Sequence, residues 1–326
     1  MNVLLWSILA AAIPVLLFVG IVYWADQYEK EPVGLLLAAF VWGAVPAVLL
    51  SYFLRVVLEG PLYTAIGATN GQAVSIVILA PIIEESIKAL ILVGLLFNKR
   101  NEIDTLLDGV IYGAMVGLGF AFVENILYFM AQYADGGSLA WATNVVMRGW
   151  LFGFSHALFS SIIGLGIAAG RLSPRRSVKI VAPITGWLTA VSLHTLHNWG
   201  AVMGTAFCLI TPLVDWGGVF LLGVIVLWSL LQEREWIRQY LVAETLSDVL
   251  TISQYETARS TRKRQTAVWK TWRQRGWQAW RREARFYHRC SELAYLKHHY
   301  QIRPTAAGQQ AIDDKRNELR DLSSKL

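Results

Sequence analysis

The sequence predicts an all-α protein: a multi-pass transmembrane helical bundle of about seven spans, followed by a basic, helical cytoplasmic tail. Three observations predict it. The chain of 326 residues is 55% hydrophobic and 16% charged, with a mean hydropathy of +0.43, far from the balance of a soluble domain. Its apolar residues gather into runs long enough to cross a bilayer, which takes about 20 helical residues. Its charge is lopsided, because residues 1–231 carry 10 Lys/Arg against 12 Asp/Glu while residues 232–326 carry 19 against 11. An ordinary cytosolic enzyme and a disordered regulator are excluded. Cys208 and Cys290 cannot supply a disulfide framework or a cysteine-based zinc site. The expected organisation is a transmembrane domain, 1–231, and a Trp/Arg-rich tail, 232–326.

The apolar runs are 2–24, 33–56, 73–97, 107–131, 149–170, 179–203 and 207–231. The first lacks a basic leader and is too long for a signal peptide, so it reads as a retained helix. Backbone groups in lipid must be satisfied within the protein, and the alternating segments of a barrel are absent, so each run reads as a helix. Loops after the odd-numbered spans hold Lys30, Lys99, Arg100, Arg171, Arg175, Arg176 and Lys179, and the basic tail shares their side. The opposite side holds only Arg55 and Arg148, both at span edges. The positive-inside rule then puts the N-terminus outside and the tail in the cytoplasm, and the plasma membrane is the expected host membrane. That assignment hangs on the short turn at 204–206. Gly109, Gly113 and Gly117, spaced by four with Gly119 beside them, give the fourth span a smooth face. This face serves helix packing alone, or it brings polar side chains of two helices together.

Charge inside a span costs on the order of 2.5–3.5 kcal/mol even on the lenient insertion scale. This chain accepts that cost repeatedly. The third span contains Glu84, Glu85 and Lys88, the fourth Glu124 and Asn125, the fifth His156, and the sixth His194, His197 and Asn198. Glu84 and Lys88 share a helix face and are expected to pair, with Glu85 turned away by about 100°. At ~1.5 Å per residue from the outer end of each span, Glu84 lies roughly 15–17 Å deep, Glu124 roughly 10 Å, His156 roughly 10–12 Å, His194 roughly 13 Å and Asn198 roughly 8 Å. Helices running in alternating directions need not agree in depth. One polar cavity open to the outside explains the agreement. Taken singly, each residue has a plainer role: Glu84 with Lys88 as a structural ion pair, Asn125 and Asn198 as interhelical hydrogen-bond donors, His197 as a packed histidine.

Glu84-Glu85-x-x-Lys88, Phe120-x-x-x-Glu124-Asn125, the His156 helix and His194-x-x-x-Asn198 resemble, in order, the motifs of the PrsW family of intramembrane proteases. Asp26-Gln-Tyr-Glu29-Lys30-Glu31-Pro32 resembles that family's first cytoplasmic loop, and the likeness covers roughly residues 20–205. The related CAAX prenyl proteases have a Glu pair, Phe-x-x-x-His and His-x-x-x-Asn, which Glu84/Glu85, Phe152/His156 and His194/Asn198 also meet. The resemblance implies an intramembrane endopeptidase that cleaves a membrane-anchored protein, an anti-sigma-factor-like regulator. It implies catalytic roles for Glu84, Glu85, Glu124, His156, His194 and Asn198, with Lys88, Asn125 and His197 in support.

The residues suit hydrolysis, which needs a base for water, a proton donor for the leaving amine and a stabiliser for the oxyanion. Glu84 or Glu85 serves as the base; low dielectric strengthens a carboxylate in that role, and Lys88 opposes the change. His156 and His194 either bind a metal together with Glu124, leaving a zinc position open for water, or act directly as acid and oxyanion donor. Asn198 orients His194 or the oxyanion. The spacing is unlike a single-helix zinc motif, so ligands would converge across helices.

In the tail, Trp269, Trp272, Trp277, Trp280 and Tyr287 interleave with a dense run of Arg and Lys between 259 and 289. Trp272, Trp280, Ala284 and Tyr287 come near one face, with Gly276 interrupting it. This suits a helix lying on the anionic lipids of the inner leaflet, or a small hairpin packed on itself. No nucleic-acid partner is expected. Residues 305–326 read as a mobile or short helical end. Two other function classes fit intramembrane Glu and His: a proton-coupled transporter or channel with a Glu/His relay, and a non-catalytic membrane scaffold. The lack of internal repeats counts against the transporter.

Overall fold

The structure is a computed structural model that describes residues 2–28, 30–99, 102–203, 210–302 and 304–326. The turn at 204–206, Cys208, Glu29 and Arg100 lie outside the described residues. Among the described residues every regular element is helical, as composition and backbone satisfaction predict. Two compact units form, one of Met1–Ala25 and Glu31–Val226, the other of Asp26–Lys30 and Leu227–Leu326.

The first unit runs α1 (Val3–Ala25), α2 (Val33–Trp42), α3 (Val48–Ile66), α4 (Ala68–Val74), α5 (Ala80–Asn98), α6 (Leu106–Asn144), α7 (Ser155–Leu172) and α8 (Arg176–Met203), and enters α9 (Ile210–Leu241). Single π-helical turns at Gly43–Ala47, Ser75–Leu79 and Val145–Leu151 join α2 to α3 and α4 to α5, and precede α7. Four helical stretches, 3–25, 33–66, 106–172 and 211–245, are long and apolar enough to cross a membrane by length and composition. The runs at 73–97 and 179–203 fall on helices outside these four. Glu84, Glu85 and Lys88 charge the first, and Thr, Ser and His residues dilute the second. Outward faces are apolar: Leu16, Phe53, Phe97 and Phe220 are each more than three-fifths exposed, a surface that water would not leave uncovered.

The core of this unit is α6. A capping box starts it: the Thr105 hydroxyl accepts from the Asp108 amide and the Asp108 carboxylate accepts from the Thr105 amide at 2.6 Å. From Leu107 to Ala121 it is buried on every side, packed between α7 on one side and α1 and α2 on others. The glycines make this approach possible. A Cβ on Gly109, Gly113 or Gly117 would collide with the carbonyl oxygen of Gly164, Ser160 or His156 on α7. Backbone therefore meets backbone along a seam about two turns long, and the second sense of the predicted smooth face holds, since the seam ends at His156. At Gly137, with φ +68°, the helix path breaks, in the position where glycine alone is unstrained.

The second unit holds the end of α9, a 3₁₀ turn Val242–Thr245, α10 (Ile252–Ala258), α11 (Thr261–Ile302) and α12 (Ala306–Ser323). Ile237, Leu241, Phe286, Cys290, Leu293, Tyr295, Ile312 and Leu319 form its core, with Tyr28 packed in. The chain end is therefore an 18-residue helix with a Thr305 cap and buried Ile312, Leu319 and Leu322, longer than the short or mobile end expected. Apolar residues seven and three apart give it a buried stripe, and Lys315 to Glu292 (2.6 Å) and Arg289 to Glu318 (3.0 Å) tie it to α11. The expected interruption of α11 is present. Gly276 (φ +77°) breaks the helix, leaving Trp272 half exposed and Tyr287 buried.

Candidate active site

The first unit brings ionisable side chains of α5, α6, α7 and α8 into one cluster. On α5, Glu84, Glu85 and Lys88 are all buried. Lys88 Nζ donates to Glu85 Oε1 at 2.8 Å and lies 3.8 Å from Glu84 Oε2. The expected preference for Glu84 is thus reversed. Residues three and four apart are both neighbours on a helix, and what decides between them is tertiary. His194 Nδ1 of α8 donates to the same Glu85 Oε1 at 2.9 Å and Ser160 of α7 lies within 3.5 Å of its other oxygen, so partners converge on Glu85. Lys88 also lies 3.8 Å from the centre of the Phe120 ring, a cation–π contact, and donates to His156 Nδ1 at 3.0 Å.

That last bond sets the state of His156. A nitrogen that accepts from an ammonium carries no proton, so its other nitrogen, Nε2, is the donor to Glu124 Oε2 at 2.7 Å. Glu124 is held in turn by Arg148, at 2.7 Å, and Arg148 also reaches Asn125 Oδ1 at 3.3 Å and covers the Tyr128 ring at 3.8 Å. His194 Nε2 turns toward Glu84 Oε2, 3.9 Å away. Phe159 stacks on His194 with ring centres 4.9 Å apart and touches His156 and His197 edge-on.

Glu84, Glu85, Lys88, Glu124, His156 and His194 are therefore together. Asn198 is placed differently: its amide donates to the Ile76 carbonyl at 2.9 Å, bridging α8 to the π turn before α5, which is the hydrogen-bonding role that intramembrane asparagine commonly fills. Asn125 is engaged by Arg148 and His197 by Asp215. Sequence reasoning passed over Arg148, which looked like a span-edge charge, and Asp215. The latter is a buried carboxylate in an apolar run, and the cost argument applied to the other spans would have found it.

The chain matches the family described as "PrsW family intramembrane metalloprotease" over residues 31–231. The chain belongs to the PrsW family. Among its relatives, Protease PrsW of Geobacillus kaustophilus (strain HTA426) is 27% identical over 199 residues, 60% of this chain and 80% of the relative. Protease PrsW of Bacillus subtilis (strain 168) is 29% identical over 228 residues, 69% and 92% of the two chains. That of Clostridioides difficile (strain 630) is 25% identical over 222 residues, covering 68% and 87%. No solved structure matches the chain significantly. As a member of the PrsW family the protein is a protease, a hydrolase that works in the membrane, and the transporter and scaffold alternatives are set aside.

The family's metalloprotease character is consistent with the donor set. Glu84, His156 and His194 each offer one ligand atom, and these atoms lie within 4.8 Å of one another. Glu84 Oε2 is buried and has no hydrogen-bond partner, an orphaned acceptor of the kind a cation satisfies. The expected set contained Glu124 in place of Glu84; here Glu124 is occupied by His156 and Arg148. The Lys88 ammonium stands among the lone pairs as the cation of the cluster.

Proposed function

We propose that the protein is an intramembrane endopeptidase of the plasma membrane that hydrolyses a peptide bond of a membrane-anchored protein, an anti-sigma-factor-like regulator, with zinc as its metal. The observation that carries this reading is the convergence of Glu84, His156 and His194 from α5, α7 and α8 on one buried point. A neutral scaffold has no reason to bring an orphaned carboxylate oxygen to two imidazoles.

Glu84, His156 and His194 would hold the zinc ion, with Lys88 giving up His156 Nδ1; two imidazoles and a carboxylate are a suitable donor set. When bound, zinc supplies Lewis acidity to the scissile carbonyl and to water. The chain's own groups do the rest. Glu84 takes the proton of the attacking water; a carboxylate has two oxygens, one for each duty. Glu85 fixes His194 through Nδ1, which leaves Nε2 directed at Glu84, the arrangement by which an outer carboxylate orients a ligating imidazole. Glu124 does the same for His156 through Nε2, and Arg148 keeps Glu124 in place. Lys88 neutralises Glu85, so that two carboxylates can share one buried site. Asn198 holds the π turn ahead of α5 through the Ile76 carbonyl.

The domain of residues 1–231 crosses the bilayer seven times in this reading, with the N-terminus outside. Residues 232–326 lie in the cytoplasm, where their 19 Lys and Arg attract anionic lipids of the inner leaflet. Co-expression with single-span membrane proteins should yield shortened products with wild type and none with Glu84→Ala or His156→Ala. Metal analysis of the purified protein should find zinc, reduced in His194→Ala. Full cleavage by both the Glu84→Ala and His156→Ala variants would end the proposal.

A further inference from the structure

Beside the Glu84 cluster lies a second arrangement that the roles above leave unused. Asp215 of α9 is almost wholly buried. Its Oδ2 accepts from His197 Nδ1 of α8 at 2.6 Å and from the Ser155 hydroxyl at the start of α7 at 2.6 Å. Its Oδ1 is buried without a hydrogen-bond partner. His197 meets the Phe152 ring edge-on at 5.4 Å. It lines one small cleft with Asn125, Arg148, Phe152, Ser155 and His156. With Nδ1 committed to Asp215, Nε2 is the nitrogen left for the cleft, and it has no partner among the described residues. A carboxylate that fixes one imidazole nitrogen sets the tautomer and orientation of the other.

We infer that His197 is a further catalytic residue, the donor of the proton that the leaving amine needs, and that Asp215 is its positioning residue, with Ser155 holding Asp215. This inference rests on the peptidase reading above. The balance is as follows. Water gives one proton to Glu84 and its oxygen bonds to the carbonyl carbon. As the C–N bond breaks, its electron pair goes to nitrogen, which takes a proton from Nε2 of the His197 imidazolium. The carbonyl re-forms and the product acid and amine separate. Glu84 then releases its proton to solvent and His197 takes one back.

The arrangement is tested with the full-length protein in detergent, using as probe the single-span reporter that wild type cleaves on co-expression. His197→Ala is expected to lower kcat by about 10²-fold or more, with KM within a factor of about two. Asp215→Asn should do the same to a smaller extent, and Asp215→Glu should restore part of the loss. Unchanged thermal unfolding of these variants separates catalysis from folding. A readout independent of substrate is the nitrogen NMR signature of His197, which should report a proton on Nδ1 in wild type and lose that preference in Asp215→Asn. Wild-type kcat in His197→Ala while Glu84→Ala is inactive would overturn the His197 role and leave the peptidase reading standing. Activity in Glu84→Ala as well would remove both. A His197 protonated only on Nε2 would overturn the positioning role of Asp215.

Discussion

Lys88 shows how much a single buried side chain can be asked to do. Its ammonium is fully buried and touches a carboxylate, an imidazole and an aromatic face at once. Removing one partner of a buried ion pair leaves the other unpaired, at a cost of about 3–5 kcal/mol. Lys88→Met is therefore expected to lower stability by that order, read from thermal unfolding in detergent, and to abolish cleavage. Asn198→Ala removes only one bond to a carbonyl and should cost about 0.6–1.7 kcal/mol, with turnover far less affected than in Glu84→Ala. That the cluster contains Glu84, Glu124, His156 and His194 was legible in the sequence, because charge in an apolar run is costly wherever it stands. Which glutamate Lys88 prefers was not, since helix geometry permits both and the choice belongs to His194 and Ser160 from other helices. Asp215 was legible by the same cost argument, but its pairing with His197 was not, since that partner lies on another helix, beyond any local spacing rule.

At the scale of the helix, the spacing of Gly109, Gly113 and Gly117 announced a smooth face but not the helix that would lie on it. The pairing of α6 with α7 depends on contacts remote in sequence. The seam gives a graded expectation. Gly113→Ala places a methyl group against the Ser160 carbonyl and should cost about 1–3 kcal/mol, as overpacking does, with activity falling as α7 and His156 are displaced. Gly94→Ala, on α5 with open space around it, should be neutral or stabilising by up to about 1 kcal/mol. Comparing thermal unfolding and turnover of the two variants separates the seam from the general effect of adding a methyl group to a helix. The tail helices were legible only in part. Interleaved Trp and Arg with Gly276 among them indicated an interrupted amphipathic helix, but not the residues of α12 that pack on it.

Across the whole molecule, the second unit has a core of its own and an acid-sensitive tie. Burial alone would raise the Glu292 carboxyl, but hydrogen bonds from His288, Arg289 and Lys315 outweigh it and hold it well below the usual glutamate value. A depressed carboxylate contributes stability above its unfolded value, 4.5, and that contribution is lost as pH falls toward the folded value. Hydrogen exchange corrected for intrinsic rates should therefore show α11 and α12 loosening below about pH 4.5 and unchanged between about pH 6 and 8. Burial pushes the Cys290 thiol up to about 12. In a Cys208→Ser background the folded protein should resist maleimide at pH 7.5 for hours and react once denatured.

The glycine seam has a further mechanical meaning. Two rods that touch through their main chains have no compliant layer of side chains between them, so they cannot slide independently when the surrounding lipid thins or thickens; they tilt as one piece. The imidazole of His156 travels with that piece and so does Glu124. The contact between His156 and Glu124 is thereby insulated from changes in the thickness of the host bilayer, and this part of the protease keeps its working dimensions as lipids are remodelled.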